Sequence, residues 1–374
     1  KPLVAIALGV SALFSLTGCN DSITSDAGAG YAGGAQQDKE IDTSFEQVKL
    51  LESINNQVLV PAITDFVNRS AQLTSDLESL CSTYQTQAPS EETKRTAQQA
   101  WRLAMISWQQ LELMQLGPLL ENDSSLHHAI YSWPTVNYCA VDQDVGYFEL
   151  GQVNGTPYDI SKRTSVRRGM DALEYLLFNE QLTHACPSDD LAPTGWNQRN
   201  DAERILARCQ FAAAAAADVH QSAQSLSTKW QDPTSGFAAQ LLAAGSANSA
   251  YESTHDAIND ISDAMFYIDS VTKDRKLAAP IGLAANSCGS AACVDDLESR
   301  LSDNSLHNVR ANLVALQSLF LGAPLGRDGV GFDDFLVAAD AADLATAMAS
   351  DIQNAIDQAD TFELTMSQAV QQAP

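Results

Sequence analysis

Apolar residues recur at helical spacing along most of the chain after residue 38, and alternating, strand-like patterns are scarce. The clearest stripe lies in residues 91–116, where alanine, tryptophan and leucine recur every three or four positions and would face a neighbouring helix. Further helices are predicted at 41–84 (broken or kinked at Pro61), 201–230, 247–271, 305–321 and 332–373. Irregular segments are predicted at 131–155 and 182–200. The pattern predicts an all-α protein.

One helical pattern occurs twice. Residues 166–176 read Val-Arg-x-x-Met-x-Ala-Leu-x-x-Leu, and residues 309–319 read Val-Arg-x-x-Leu-x-Ala-Leu-x-x-Leu. The repeat predicts an internal duplication that produces two related four-helix-bundle-like domains, at 41–190 and 191–374. A chance likeness between two amphipathic helices is the alternative.

The first copy of the repeat carries two acids that the second copy lacks. Asp171 aligns with Val314, and Glu174 aligns with Gln317, so the helical scaffold requires neither acid. Residues three apart lie on one side of a helix, and two like charges there need a cation, an arginine or a proton between them.

Partners for these acids are available in the sequence. Arg167 and Arg168 lie four and three residues before Asp171, so a simple surface ion pair is one interpretation. Glu174 has no basic residue three or four positions away. Glu112, at the edge of the tryptophan stripe, would join the two acids if its helix packs against theirs.

Composition narrows the classes of partner. Asp and Glu outnumber Lys and Arg by 47 to 21, which gives a formal net charge of −26. Such a surface disfavours nucleic acid, because phosphate binding needs clusters of basic residues. The glycines at 326–331 have no lysine or hydroxyl residue in phosphate-loop order, so nucleotide binding is unsupported. Solubility of an exported protein is the simplest explanation of the acidity.

The beginning of the chain reads as an export signal. Lys1 precedes an apolar run at 3–16, which ends in Leu-Thr-Gly-Cys. This ending resembles a bacterial lipobox, so we expect a lipoprotein signal peptide at 1–18, lipidation of Cys19 and a flexible tether at 19–40. A chance apolar run that ends in cysteine is the alternative. The protein would then be anchored in the bacterial cell envelope and face the periplasm, and Asn20 after the cysteine favours the outer membrane.

The other cysteines fit an exported protein. An even set of six remains, and it predicts disulfides. Cys288 and Cys293 bracket a short loop and are expected to pair with each other. We expect the remaining pairs to be Cys81–Cys139 and Cys186–Cys209, although six cysteines allow about fifteen pairings. No Cys-x-x-Cys is present, which argues against a zinc ribbon or a thioredoxin-type site.

Several blocks in order resemble the imelysin family of bacterial exported proteins, also called imelysin-like or iron-regulated proteins. The resemblance spans about 45–359 and rests on residues 100–119, Trp133-Pro134, and residues 169–178, 276–282 and 308–322. It implies an all-helical fold of two related four-helix bundles. It also implies a metal site near the domain interface, formed by a Gly-x-His-x-x-Glu motif.

The chain departs from that motif at one position. Gly169 and Glu174 match, but Asp171 stands where the family has histidine. Carboxylates favour hard cations, or iron with additional ligands, over zinc. The resemblance therefore implies a bound metal ion, with iron favoured. The expected ligands are Glu174, Asp171 and Glu112, surrounded by Arg167, Arg168 and Trp133.

Three functions follow from this resemblance. The preferred one is binding of a metal cation or an iron-bearing ligand during iron uptake, with iron-uptake proteins as partners. The alternative is an imelysin-type metallopeptidase, although the chain has no His-Glu-x-x-His. A non-catalytic scaffold with a vestigial site is the third. The vicinal pair His127-His128 is a poor bidentate ligand, and Trp101 and Trp108 are more typical of a core than of a ligand platform.

Overall fold

The computed structural model describes residues 45–86, 91–289 and 291–372, and these residues are predominantly helical. The α-helices, in chain order, are α1 (Gln47–Ser53), α2 (Val60–Thr86), α3 (Glu91–Leu113), α4 (Glu121–Ile130), α5 (Tyr138–Leu150), α6 (Gly169–Phe178), α7 (Asp201–Gln231), α8 (Phe237–Leu242), α9 (Thr254–Met265), α10 (Ser305–Phe320), α11 (Phe332–Ala338), α12 (Ala342–Thr361) and α13 (Met366–Gln372). Two segments, Ile54–Leu59 and Ile268–Ala278, are π-helical. A small antiparallel ladder pairs Gln152–Val153 with Thr156–Pro157. The predicted all-α class is confirmed.

Pro61 does not break the first helical run. The π-helical turn Ile54–Leu59 lies directly before α2, in which Pro61 is the second residue. A proline removes one backbone donor and crowds the preceding turn, and a wider turn relieves both problems. The predicted interruption is therefore a local change of helical pitch.

The core is formed where α2, α3 and α7 pack together. The alanine-rich α7 lies along α2, because small side chains such as Ala212 and Ala216 allow the two helices to approach closely. Trp101 and Trp108 of α3 are fully buried, as the stripe predicted. Helix α6 packs on α7 and α3, and α10 packs on α3.

The domain boundary at 190/191 and the internal duplication stay predictions. Helix α7 follows that boundary, yet it packs mainly against α2, which precedes it. One continuous hydrophobic cluster runs from Leu50 in α1 to Ile356 in α12. The two halves of the sequence therefore share a core.

Three disulfides join cysteines of the described residues, and they correct the predicted pairing. Cys288–Cys293 is formed as expected. The pairs Cys81–Cys139 and Cys186–Cys209 were wrong, because Cys81 bonds Cys209 and Cys139 bonds Cys186. Packing of α2 along α7 brings the Cα atoms of Cys81 and Cys209 to 5.5 Å from each other. Spacing in the sequence cannot show this proximity.

Helix α5 was missed in the segment predicted to be irregular. It begins after Asn137, whose side chain accepts a hydrogen bond from the backbone of Ala140. Its inward face carries Asp142 and Asp144, both fully buried. Acids on the buried face obscure the apolar period that marks a helix, and arginines on other elements neutralise them.

The predicted signal peptide at 1–18, the lipidated Cys19 and most of the predicted tether lie outside the described residues. Among the helices that are described, none combines the length and apolar character needed to cross a membrane. The predicted helix at 332–373 is divided into α11, α12 and α13, with Asp340 in a left-handed turn between the first two.

Candidate functional site

Helix α6, the motif helix, begins at Gly169 rather than at residue 166. Gly169 has φ of 86°, and a Cβ atom there would lie 2.7 Å from the carbonyl oxygen of Ile130. Only glycine combines this backbone conformation with so close an approach. Arg167 therefore ends a separate 3-10 turn, and Arg168 is extended.

This late start explains why the two arginines do not pair with Asp171. The Arg167 guanidinium lies 3.0 Å from Asp144 Oδ1, and Arg168 lies 2.8 Å from Asp218 Oδ2. The suggested local ion pair with Asp171 was therefore wrong, since its helical spacing does not exist. Trp133 is half-buried against the main core, directly after the serine that contacts Asp171.

Asp171 is buried and bonded to Ser132. Its Oδ2 accepts hydrogen bonds from the Ser132 backbone N–H at 2.6 Å and from the Ser132 hydroxyl at 3.2 Å. Burial raises the pKa of Asp171 to about 8, although the Ser132 N–H opposes this shift and the nearby Glu174 adds to it. The acid is therefore largely protonated at neutral pH.

Glu174 is held in the same way by Ser302, which lies in the loop before α10. Its Oε1 accepts from the Ser302 backbone N–H at 2.9 Å and from the Ser302 hydroxyl at 2.8 Å. Burial raises the pKa of Glu174 to about 7, and the Ser302 bonds counter it. Ser299 and Asp303, on either side of Ser302, have positive φ angles of 49° and 53°. Such strained non-glycine residues often accompany functional sites.

The motif helix thus fastens two loops that are distant in sequence. Asp171 binds the loop after α4, and Glu174 binds the loop before α10. Within the described part of the chain, neither acid forms an ion pair with lysine, arginine or histidine. Arg102 lies near enough to Glu174 to interact with its charge, but burial has the larger effect and lowers the pKa of Arg102. Burying two acids without a cation costs folding free energy, and such destabilising groups are typical of functional positions.

Glu112 belongs to a second, adjacent cluster. Its Oε2 lies 3.1 Å from Nζ of Lys276, and that ammonium also lies 3.0 Å from Glu298 Oε1. All three residues are at most 3% exposed. The charge of Glu112 contributes to the raised pKa of Asp171, so the two clusters are electrostatic neighbours.

Glu298 completes this second cluster. Its Oε1 accepts from the Tyr131 hydroxyl at 2.7 Å and from the Gln109 amide at 3.1 Å. Burial raises the pKa of Glu298, while Lys276 lowers it. Tyr131 immediately precedes Ser132, and Glu298 lies four residues before Ser302, so the same two loops carry both clusters.

The sequence did not single out Lys276, Glu298, Ser132 or Ser302. Lys276 begins one of the blocks on which the family resemblance rests, and that position was the available signal. The other three residues are common types in loop-like segments, so nothing distinguished them. Their proximity comes from tertiary packing.

His127 is a buried neighbour of Glu112. It lies in α4, and its Nε2 is 3.9 Å from Glu112 Oε1. Burial lowers the pKa of His127 to about 4, and His128 and Lys276 add to the effect. The imidazole is therefore neutral at physiological pH and forms a weak partner for Glu112.

A surface cleft of about 560 Å³ lies beside α5, and Tyr138 and Arg167 are among the residues that line it. The Tyr138 ring stacks on Tyr175 of the motif helix at 4.5 Å between centroids. Burial raises the pKa of Tyr138 to about 12, and the charge of Glu174 contributes. Tyr138 is therefore close to both the cleft and the acid pair.

The residues present do not fit a bare metal ion. Asp171 and Glu174 accept from N–H and O–H donors, and Glu112 is bonded to an ammonium group. Throughout the described ranges, no three histidine, cysteine or acidic side chains are grouped so that they could hold a metal. Metal binding at the three expected ligands therefore stays a prediction, and the arrangement gives it no ready coordination shell.

Comparison with known proteins places this geometry in context. The family model described as Imelysin matches residues 59–374. Iron-regulated protein A of Synechococcus elongatus is 27% identical over 274 residues, which are 73% of this chain and 64% of that protein's own length.

Two solved structures share the fold. One is described as an iron-regulated protein A precursor from Parabacteroides distasonis, with a TM-score of 0.66, 16% identity, and coverage of 91% of this chain and 90% of that one. The other is an imelysin-like protein from Psychrobacter, with a TM-score of 0.57, 15% identity, and coverage of 87% and 88%. The resemblance inferred from the sequence is thereby confirmed.

Proposed function

The chain belongs to the imelysin family, and from this premise we propose that it is an envelope protein that binds an iron-bearing ligand through Asp171 and Glu174. The observation that carries the proposal is the pair itself: two buried acids at the family's motif positions, with pKa values near neutrality and no ion-pair partner among the described residues. Such acids gain stability when a cation reaches them and they release their protons.

The form of the ligand follows from the missing coordination shell. A free metal ion usually needs three or more protein ligands, and the described residues group no such set. In a ferric chelate or haem, the ligand itself supplies most of the donor atoms that coordinate the iron, so the protein needs to supply few. We propose the cleft beside Tyr138 and Arg167 as the approach for such a ligand.

The setting is also part of the proposal. The name of the relative, iron-regulated protein A, supports an iron-related role. We further propose that Cys19 is lipidated, that the protein faces the periplasm from the outer membrane, and that it hands its ligand to iron-uptake proteins. The lipobox-like ending of residues 16–19 supports the anchor.

Equilibrium dialysis of the full chain against ferric citrate, haem or Fe²⁺, with iron measured on both sides, tests the binding proposal. The wild-type protein should retain at least one of these probes. Glu174→Gln should weaken that binding about tenfold or more, because the amide cannot supply negative charge. Glu180→Gln, the same change at an exposed site just after the motif helix, should bind like wild type.

Equal retention by wild type and Glu174→Gln would remove the acid pair from the site. A wild-type protein that retains none of the probes would instead favour the scaffold function. That second function has its own support, since Ser132 and Ser302 already satisfy the two acids with hydrogen bonds. Cleavage of an unfolded substrate chain that stops on addition of a chelator would favour the metallopeptidase.

A further inference from the structure

Lys276 is surrounded by oxygen atoms in a way that is unusual for a lysine. Besides Glu112 and Glu298, its Nζ lies 2.5 Å from Gln109 Oε1 and 3.1 Å from Asn312 Oδ1. An ammonium has three protons, so four oxygen neighbours exceed the hydrogen bonds that it donates. A shell of carboxylate and amide oxygens is the kind that hard divalent cations prefer.

The position is built from three helical elements and from the loop that carries Glu298. Gln109 and Glu112 come from α3, Asn312 comes from α10, and Lys276 comes from the π-helical segment Ile268–Ala278. Asn312 also donates to the Gln109 backbone oxygen at 2.6 Å, which fixes the orientation of its amide. The oxygen shell is therefore held by its surroundings and does not depend on Lys276 alone.

A second observation concerns Glu298. Its Oε2 is buried without a hydrogen-bond partner among the described residues, while Oε1 accepts from three donors. The cluster thus retains capacity to bind more positive charge than one ammonium supplies. A buried carboxylate oxygen in this condition is costly unless a cation lies nearby.

We propose that Lys276 is a built-in cation, whose ammonium fills an oxygen-lined position suited to a hard divalent metal ion, so that this cluster needs no metal. Removal of the lysine side chain should convert the position into a cation site. Glu112, Glu298 and Lys276 would have this role whether or not Asp171 and Glu174 bind iron.

The test is thermal unfolding of the full chain with EDTA or with increasing Mn²⁺. The melting temperature of wild type should not fall with EDTA. Lys276→Ala should melt about 5 °C or more below wild type, because it leaves buried carboxylates without their cation. Saturating Mn²⁺ should restore at least half of that loss, and EDTA should reverse the gain.

Two further variants make the test specific. Lys273→Ala, on the same segment, removes an exposed lysine that pairs with Asp269 and should respond to Mn²⁺ as wild type does. This comparison corrects for weak binding of Mn²⁺ to the acidic surface. The double variant Lys276→Ala/Glu298→Gln should lose most of the Mn²⁺-dependent gain, because one of its carboxylate ligands is gone.

Several outcomes would overturn the proposal. One is a fall in the melting temperature of wild type on addition of EDTA, which would reveal a resident metal. Another is a Mn²⁺ response of Lys276→Ala no larger than that of Lys273→Ala. If Lys276→Ala folds only when Mn²⁺ is present, the proposal is supported; if it fails to fold even with saturating Mn²⁺, the proposal is rejected.

Discussion

The two acid pairs of this protein are neighbours with opposite chemistry. Glu112 and Glu298 share the ammonium of Lys276, whereas among the described residues Asp171 and Glu174 have hydrogen-bond donors, chiefly Ser132 and Ser302, and no ion-pair partner. Both pairs are buried, and both form contacts with residues of the same two loops. The first pair receives one positive charge from a lysine of the chain itself, while the second remains open to protons or to an external cation.

This difference separates the structural from the functional use of buried acids. A buried ion pair is strongly destabilised when one partner is removed, even where the intact pair adds little net stability. A buried acid without a cation instead holds a proton at neutral pH, and its charge then depends on conditions. The Lys276 cluster thus fixes the two loops, and the motif helix holds the groups that can respond.

The largest expected effect comes from removing the shared cation. Lys276→Met keeps most of the side-chain volume but leaves Glu112 and Glu298 without a positive partner. We expect a loss of about 3–5 kcal/mol in the free energy of unfolding, measured with urea at pH 7. Lys273→Met, at an exposed position of the same segment, should change stability by less than about 0.5 kcal/mol. Similar losses for both variants would mean that the cluster has no special role.

A smaller effect should appear in the pH dependence of stability. The folded pKa values of about 8 for Asp171 and about 7 for Glu174 lie above the ordinary values near 4. Between about pH 4 and pH 8 the folded protein therefore keeps protons that the unfolded chain releases, so the contribution of these acids to stability is fully present below about pH 4 and is lost as the pH rises.

The double variant Asp171→Asn/Glu174→Gln resembles the protonated acids and cannot ionise. It should match wild type near pH 4 and exceed it by at least about 2 kcal/mol at pH 8, because each unit by which the folded pKa exceeds the ordinary value corresponds to about 1.4 kcal/mol before solvent relaxation. Urea unfolding at both pH values measures this difference. A difference that stays constant with pH would show that the two acids titrate normally in the folded protein.

The smallest expected effect is the difference in stability between variants of Ser302 and of Ser132. Ser302→Ala removes the hydroxyl bond to Glu174 at 2.8 Å but leaves the backbone N–H in place, so we expect a loss of about 1 kcal/mol at pH 8. Because that bond favours the ionised form, the pKa of Glu174 should rise further. Ser132→Ala removes a longer contact of 3.2 Å and should cost less. A larger loss of stability for Ser132→Ala than for Ser302→Ala would show that the hydroxyl bond to Asp171 is the stronger one.

The helical repeat shows how much of the motif helix could be anticipated. Residues 169–176 of the first copy and all of the second copy are helical, and Ala172 and its counterpart Ala315 are both buried. Gln317, which aligns with Glu174, donates to Gln353 at 2.9 Å and so forms a neutral contact. The sequence comparison therefore identified the acids as dispensable for the helix, and the contacts of the two helices agree with that interpretation.

Other predictions failed where long-range contacts decide. The arginines before Asp171 lie on a separate turn, since Gly169 redirects the chain, and they bind Asp144 and Asp218. Helix α5 was hidden because its buried face carries acids that arginines on other elements neutralise. In both cases a polar residue has a partner that local spacing cannot reveal.

The sequence by itself determined the helical class, the family and the position of the motif acids, because periodicity and motif order are local properties of the chain. Tertiary structure alone decided the disulfide pairing, the capture of Glu112 by Lys276 and the serine bonds of Asp171 and Glu174. These depend on which distant segments of the chain meet in the fold. The charge state of a buried acid is set by such neighbours, and residue type does not encode it.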